Sequence, residues 1–150
     1  MTAEPSSDTG RIVAGFDGAA SSLHALSWAA HQAVLTDSTL EVVMAWEWPT
    51  SYGWAVPIPD DFDPEADTRK LLDTAIADAR TEHPGLKVEG RLVNGHPAPV
   101  LAEASKGADL LVVGSRGHGE FVGMLVGSVS EYCVTNAHCP VLVHRLPGSG

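Results

Sequence analysis

Apolar positions along this chain fall into short continuous runs, separated by longer stretches in which they recur every three or four residues. The short runs are Arg11–Phe16 (RIVAGF), Thr39–Trp46 (TLEVVMAW), Asp109–Val113 (DLLVV) and Pro140–His144 (PVLVH), and Leu86–Val93 alternates at Leu86, Val88 and Leu92. Runs of this length, rich in Val, Ile and Leu, predict strands, and the uniformly apolar DLLVV predicts a central parallel strand covered on both faces. The stretches between them predict helices. The first covers about Ser21 to Leu35, with Leu23, Leu26, Ala30, Ala33 and Val34 as its buried face. The second opens at Asp63-Pro64-Glu65, with Asp63 as N-cap and Pro64 at the first helical position, carries Leu72, Ile76 and Ala79, and stops at Pro84-Gly85. The third follows the turn Asn94-Gly95-His96-Pro97, carries Val100, Leu101 and Ala104, and closes at Lys106 and Gly107. The last runs from Ser128 to about Ala137, where Ser128-Val129-Ser130-Glu131 reads as a capping box.

The resulting order, β-α-β-α-β-α-β-α-β, predicts an α/β fold with a parallel sheet and helices on both faces. Ligands of such open sheets sit beyond the carboxyl ends of the strands, where the strand order reverses. The loops after the first and fourth strands are therefore where chemistry is expected.

Composition narrows the field. A length of 150 residues fits one domain, with residues 1–9 and 146–150 expected as flexible tails. The hydrophobic fraction of 44% and charged fraction of 19% are ordinary for a globular protein. Two cysteines, Cys133 and Cys139, supply neither a disulfide framework nor a four-sulfur metal site, so a reducing, cytoplasmic setting is the simpler expectation. The start, MTAEPSSDTG, lacks the basic-then-apolar character of a signal peptide, and no apolar run approaches the ~20 residues that span a bilayer.

The net charge of −10 is unevenly spread: Met1 to Asp67 holds eleven acidic residues against one basic residue, Arg11, and the rest holds eight of each. An acidic first half with no compensating basic stripe argues against nucleic-acid and anionic-membrane partners. A small phosphorylated ligand remains compatible, because backbone N–H groups at a helix start hold phosphate without a basic cluster.

One loop stands out. The fourth strand leads into Gly114-Ser-Arg116-Gly117-His118-Gly119-Glu-Phe-Val-Gly123-Met-Leu-Val-Gly127-Ser128, with five glycines in fourteen residues. Glycines let backbone amides approach an anion closely, and the following helix adds its dipole; the bland alternative is a surface loop whose glycines only make turns. No Lys precedes Ser128, so the loop is not a P-loop. Gly117-x-Gly119-x-x-x-Gly123 approximates a dinucleotide fingerprint but follows the fourth strand instead of the first, and no acid stands about twenty residues further on. A third pattern, Gly-x2-Gly-x9-Gly-[Ser/Thr], is matched at every fixed position by Gly114, Gly117, Gly127 and Ser128.

With Asp17-Gly18, Ala108–Gly117 (ADLLVVGSRG), Gly127-Ser128-Val129-Ser130 and Cys139–Val143 (CPVLV), the chain resembles the universal stress protein family, in its ATP-binding branch, over nearly its whole length. The resemblance implies a flavodoxin-like (adenine nucleotide alpha hydrolase-like) five-stranded sheet in the order 3-2-1-4-5. It also implies a nucleotide-dependent regulator of the stress response that binds ATP, with Mg²⁺ or Mn²⁺ through the phosphates. Carried over residue by residue, Asp17, after Gly15 at the end of the first strand, would lie beside the ribose and adenine. Met44 and Ala45 would flank the adenine. Gly114, Gly117 and Gly119 would let the loop pass under the ribose and phosphates, with Arg116 and His118 as candidate phosphate contacts. Gly127, Ser128, Val129 and Ser130 would hold phosphates through amides and two hydroxyls. The family commonly has Ser after Asp-Gly, where this chain has Ala19. Two other readings keep the fold: an AMP or cyclic AMP binder, and a stress-induced dimer acting through protein contacts. The last strand, Pro140–His144, would lie at a sheet edge and is expected to join a homodimer.

Other residue groups carry blander expectations. Of seven histidines, His24 and His31 share the first helix with no acid or Cys at ligand spacing, so they read as solvated surface. Cys133 reads as core packing, while Cys139 stands where oxidants could reach it. Trp46, Trp48, Tyr52 and Trp54 suggest a partner surface, a lid over the adenine pocket or cover for the sheet edge. Asp60, Asp61 and Asp63 read as a solvated, capped helix start. No nucleophile elbow or strand-end carboxylate pair is present, so the expectation is no enzyme, with slow ATP hydrolysis at most.

Overall fold

Val, Ile and Leu fill the strands, and the central ones are apolar on both faces, while the edge strand over 87–94 is largely exposed. The computed structural model describes residues 10–47, 63–115 and 127–145. The elements are β1 (Arg11–Gly15), α1 (Ala20–Thr36), β2 (Thr39–Trp46), α2 (Pro64–Glu82), β3 (Lys87–Asn94), α3 (Pro97–Ala104), β4 (Leu110–Gly114), α4 (Ser128–Asn136) and β5 (Val141–His144). All pairings are parallel and the strand order is β3-β2-β1-β4-β5, the flavodoxin-like order expected.

Side-chain alternation along the strands divides the core into two layers. Ile12, Ala14, Leu40, Val42, Met44 and Val112 point to one face, where Leu26, Leu72, Ile76 and the alanines of α1 cover them. Val13, Val43, Leu111 and Val113 point to the other, against Leu101 and Ala104 of α3 and Cys133 of α4. The chain winds outward from β1 to β3 and then crosses back to β4, so β1 and β4 are neighbours whose following helices lie on opposite faces. Asp63 caps α2 by accepting the Ala66 N–H at 3.0 Å, with Pro64 at the first helical position, as its sequence foretells. Among the described residues, no helix is long and apolar enough to cross a membrane.

Two local expectations are corrected. Leu23 (47% exposed) and Val34 (43%) lie outside the buried face of α1, which consists of Ser21, Ser22, Ala25, Leu26, Ala29, Ala30 and Ala33. The reason is spacing between layers: α1 approaches β4 so closely that a Cβ on Gly114 would stand 3.0 Å from the main-chain carbon and oxygen of Ser21. Small side chains let the helix lie that near the sheet, and Leu23 and Val34 turn outward. The second correction concerns α4. Gly127 occupies its N-cap, with no side-chain cap bond, so Ser128 is the first helical residue and no capping box forms with Glu131.

The buried face of α1 generates a test. Leu26→Ala, at a site on that face 3% exposed, should cost about 2–5 kcal/mol in urea denaturation. Leu23→Ala should change stability by less than about 0.5 kcal/mol. A large loss at Leu23 would restore the face inferred from periodicity.

Candidate functional site

The strand crossover opens a notch at the carboxyl edge of the sheet. The β1–β2 ladder stops at Gly15 opposite Val43, with one further bond from the Phe16 N–H to the Val43 carbonyl at 3.0 Å. Beside β3, however, β2 continues to Trp46 opposite Asn94. The main chain of β2 thus extends past the end of its neighbour. A cleft occupies this step: Val43, Ala45, Val113 and Gly114 line it at the strand ends, and Pro97 and Leu101 of α3 supply an apolar wall. Asp17 and Ser22 line it from the β1–α1 side, and Val129 and Ser130 from the first turn of α4.

Of the residues singled out from sequence, Gly15, Asp17, Ala45, Gly114, Val129 and Ser130 meet in this cleft, and Gly127 and Ser128 adjoin them in the chain. Met44 is placed differently. Its side chain is buried in the layer under α1 and α2, because strand alternation points it to the face opposite Val43, so that side chain does not line the cleft. Arg116, Gly117, His118 and Gly119 lie outside the described residues, as do Trp48, Tyr52, Trp54, Asp60 and Asp61 and both terminal segments.

Asp17 is held by the chain that follows it. Its Oδ1 accepts the Ala19 N–H at 2.9 Å and lies 2.8 Å from the Ser22 hydroxyl. The turn between them passes through Gly18 at φ +87°, a left-handed conformation suited to glycine. A carboxylate here also faces the positive end of the α1 dipole, whose first turn holds no acid of its own.

On the other side, the ends of the glycine-rich loop are tied to each other. The Gly127 N–H donates to the Ser115 carbonyl, and the Ser130 hydroxyl donates to the Gly114 carbonyl. The Ser115 N–H in turn donates to the His144 carbonyl at 2.9 Å, fixing the junction to β5. The Ser130 hydroxyl, a candidate phosphate contact from the sequence, thus has its proton engaged at the Gly114 carbonyl. The first intrahelical bond of α4 runs from the Glu131 N–H to the Gly127 carbonyl at 2.9 Å, so the N–H groups of Ser128 to Ser130 precede the helical ladder. Gly127 itself has φ −72° and ψ 164°, open to any residue, so its glycine is not required by backbone conformation.

Phe16, Ser22, Val43, Pro97, Leu101 and Val113 also line the cleft and were not singled out from sequence. Their signal is positional: each stands at the carboxyl end of a strand or in the first turns of a following helix, and nothing about the residue type marks it.

The remaining candidates resolve simply. Cys133 is fully buried, and burial pushes its thiol up to about 11, so it packs and does not react. Cys139 is half-buried; burial raises its thiol, Asp109 adds to this, and Arg11 and Ser105 oppose it. His24 and His31 are exposed on α1, with the His31 ring 6.4 Å from that of His83. Among the described residues, no group of three His, Cys, Asp or Glu is arranged to hold a metal.

The sequence profile described as the universal stress protein family matches residues 9–145. The chain belongs to that family. Universal stress protein Rv2624c of Mycobacterium tuberculosis is 32% identical over 143 residues, covering 95% of this chain and 50% of its own length. A universal stress protein of Mycolicibacterium smegmatis is 36% identical over 135 residues, covering 89% of this chain and 45% of its own. The chain spans about half the length of these curated relatives. Among solved structures, a universal stress protein in complex with cAMP superposes with a TM-score of 0.69 at 28% identity, covering 91% of this chain and 97% of its own.

The tied loop ends give the site its own test. Ser130→Ala removes the donor to the Gly114 carbonyl beside a buried side chain and should cost about 1–3 kcal/mol in urea denaturation. A cost below about 0.5 kcal/mol would mean that this bond does not hold the junction.

Proposed function

We propose that this universal stress protein domain binds ATP in the cleft at the carboxyl edge of β1 and β4. It then acts as a nucleotide-dependent regulator in the stress response and is not a dedicated enzyme. One observation carries the reading: a carboxylate and a helix N-terminus converge from opposite faces of the sheet on an apolar slot. Ala45, Pro97 and Leu101 offer that slot to a flat base. Asp17 offers an acceptor to ribose hydroxyls. The N–H groups at the start of α4, with the helix dipole behind them, offer donors to phosphate. The described residues lining the cleft include no Lys or Arg, so Mg²⁺ or Mn²⁺ on the phosphates would neutralise the charge.

The spacing of Gly114, Gly117, Gly127 and Ser128 supports a ligand with several phosphates. The solved relative holding cAMP supports a second reading, in which one phosphate suffices. Calorimetry with Mg²⁺ separates the two. ATP should bind more tightly than AMP or cAMP, Gly127→Val should abolish binding, and Ser128→Ala should weaken it roughly 10- to 150-fold. Tighter binding of cAMP would favour the second reading. No adenine-nucleotide binding by the wild type, or unaltered binding by Gly127→Val, would reject both.

The reading includes a cytoplasmic protein, whose free thiols at Cys133 and Cys139 suit a reducing compartment; recovery in the extracellular fraction would contradict this. It also includes a homodimer. β5 is an edge strand with all four residues partly exposed, and Val141 and Val143 share one face. Pairing with a second copy would cover that edge. Light scattering should show a dimer for the wild type and a folded monomer for Val141→Lys/Val143→Lys; an unchanged mass after the double substitution would refute the β5 interface.

A further inference from the structure

Ser22 is a small residue in the first turn of α1, 5% exposed, yet three polar groups of the β1–α1 turn converge on its oxygen. The Asp17 N–H donates to Ser22 Oγ at 3.2 Å. The single Ser22 hydroxyl proton has two acceptors in reach, Asp17 Oδ1 at 2.8 Å and the Ala19 carbonyl at 2.9 Å. An ionised acceptor makes the stronger hydrogen bond, which favours the carboxylate. Asp17 Oδ1 receives the Ala19 N–H as well, at 2.9 Å. Two donors on one oxygen restrain the plane of the carboxylate. Ala19, at the N-cap of α1, has no side-chain hydroxyl to share this work. Ser22 and Asp17 line the same side of the cleft.

We infer that Ser22 is a positioning residue for nucleotide recognition: its hydroxyl holds the Asp17 carboxylate in the orientation that reads the ribose hydroxyls. The inference rests on the nucleotide reading proposed above. Without the hydroxyl, Asp17 keeps the Ala19 N–H but is freer to turn about its last side-chain bond. Contacts to the sugar then weaken while those to the base and phosphates persist. A purely structural role would act otherwise, loosening the start of α1 and weakening every ligand alike.

Calorimetry with Mg²⁺, using ATP and 2′,3′-dideoxy-ATP as the two probes, distinguishes these. The wild type should prefer ATP by about tenfold or more, as expected for hydrogen bonds to a charged group. Ser22→Ala should reduce that preference to about threefold or less, with affinity for the dideoxy nucleotide unchanged. Should Ser22→Ala fail to fold, Ser22→Cys keeps the bulk, replaces the hydroxyl by a weak donor and should show the same loss. A wild-type preference that survives in the variant, with both affinities falling together, would overturn the inference in favour of a structural role. Equal wild-type affinities for the two probes would overturn it and leave nucleotide binding intact. Binding of neither probe would overturn the nucleotide reading itself.

Discussion

The nearness of α1 to the end of β4 is the constraint on which the site depends. At Gly114 the main chain of Ser21 occupies the space that a side chain would need. That contact requires alanines and serines on the buried face of α1. It also brings the turn carrying Asp17 alongside the junction from which the glycine-rich loop departs. A larger residue at Gly114 would push α1 off the sheet and separate the two halves of the cleft. Gly114 therefore reads first as a packing glycine, and any role in passing beneath a ligand comes in addition.

Hydrogen bonds then fix each half. On one side, Ser22 and Ala19 hold Asp17 at the start of α1. On the other, Ser130 and Gly127 bind back to Gly114 and Ser115, so the first turn of α4 stands in place whatever path the intervening residues take. Donors and acceptors that would meet a ligand are thus held by the protein before it arrives, which lowers the ordering cost of binding. Charge follows the same division. Asp17 lies where the α1 dipole favours an anion, and the unladdered N–H groups of α4 lie where a second anion, the ligand's own, would be favoured.

Much of this was legible in the sequence because buried parallel strands write themselves plainly. RIVAG, EVVMA and LLVVG are apolar on both faces, and the turn signals between them leave few alternatives to a singly ordered α/β sheet. The family followed from motifs at the strand ends. Four features were not legible, each for a physical reason. Apart from Leu26, the buried face of α1 is made of small residues, so a reading weighted toward Leu and Val kept Leu26, Ala30 and Ala33 but added the exposed Leu23 and Val34. Ser128-Val129-Ser130-Glu131 has the letters of a capping box, but the cap position depends on where the preceding chain bends, and Gly127 takes it. Met44 and Ala45 are adjacent in sequence and so face opposite sides of the sheet; which one borders the cleft depends on the register with β1. Ser22 escaped for a similar reason, since a serine in a helix start has many possible partners until the turn geometry selects one.

Mapping amide chemical shifts by two-dimensional nuclear magnetic resonance, as Mg²⁺–ATP is added to the labelled protein, tests the central claim most directly. The account predicts that the largest changes fall on Asp17, Ala45, Val129 and Ser130, around the step between β1, β2 and β4. The amides of His24, His83 and Glu82, which line a separate hollow between α1 and α2, should stay in place. Changes centred on that hollow, or no change at saturating nucleotide, would contradict the account.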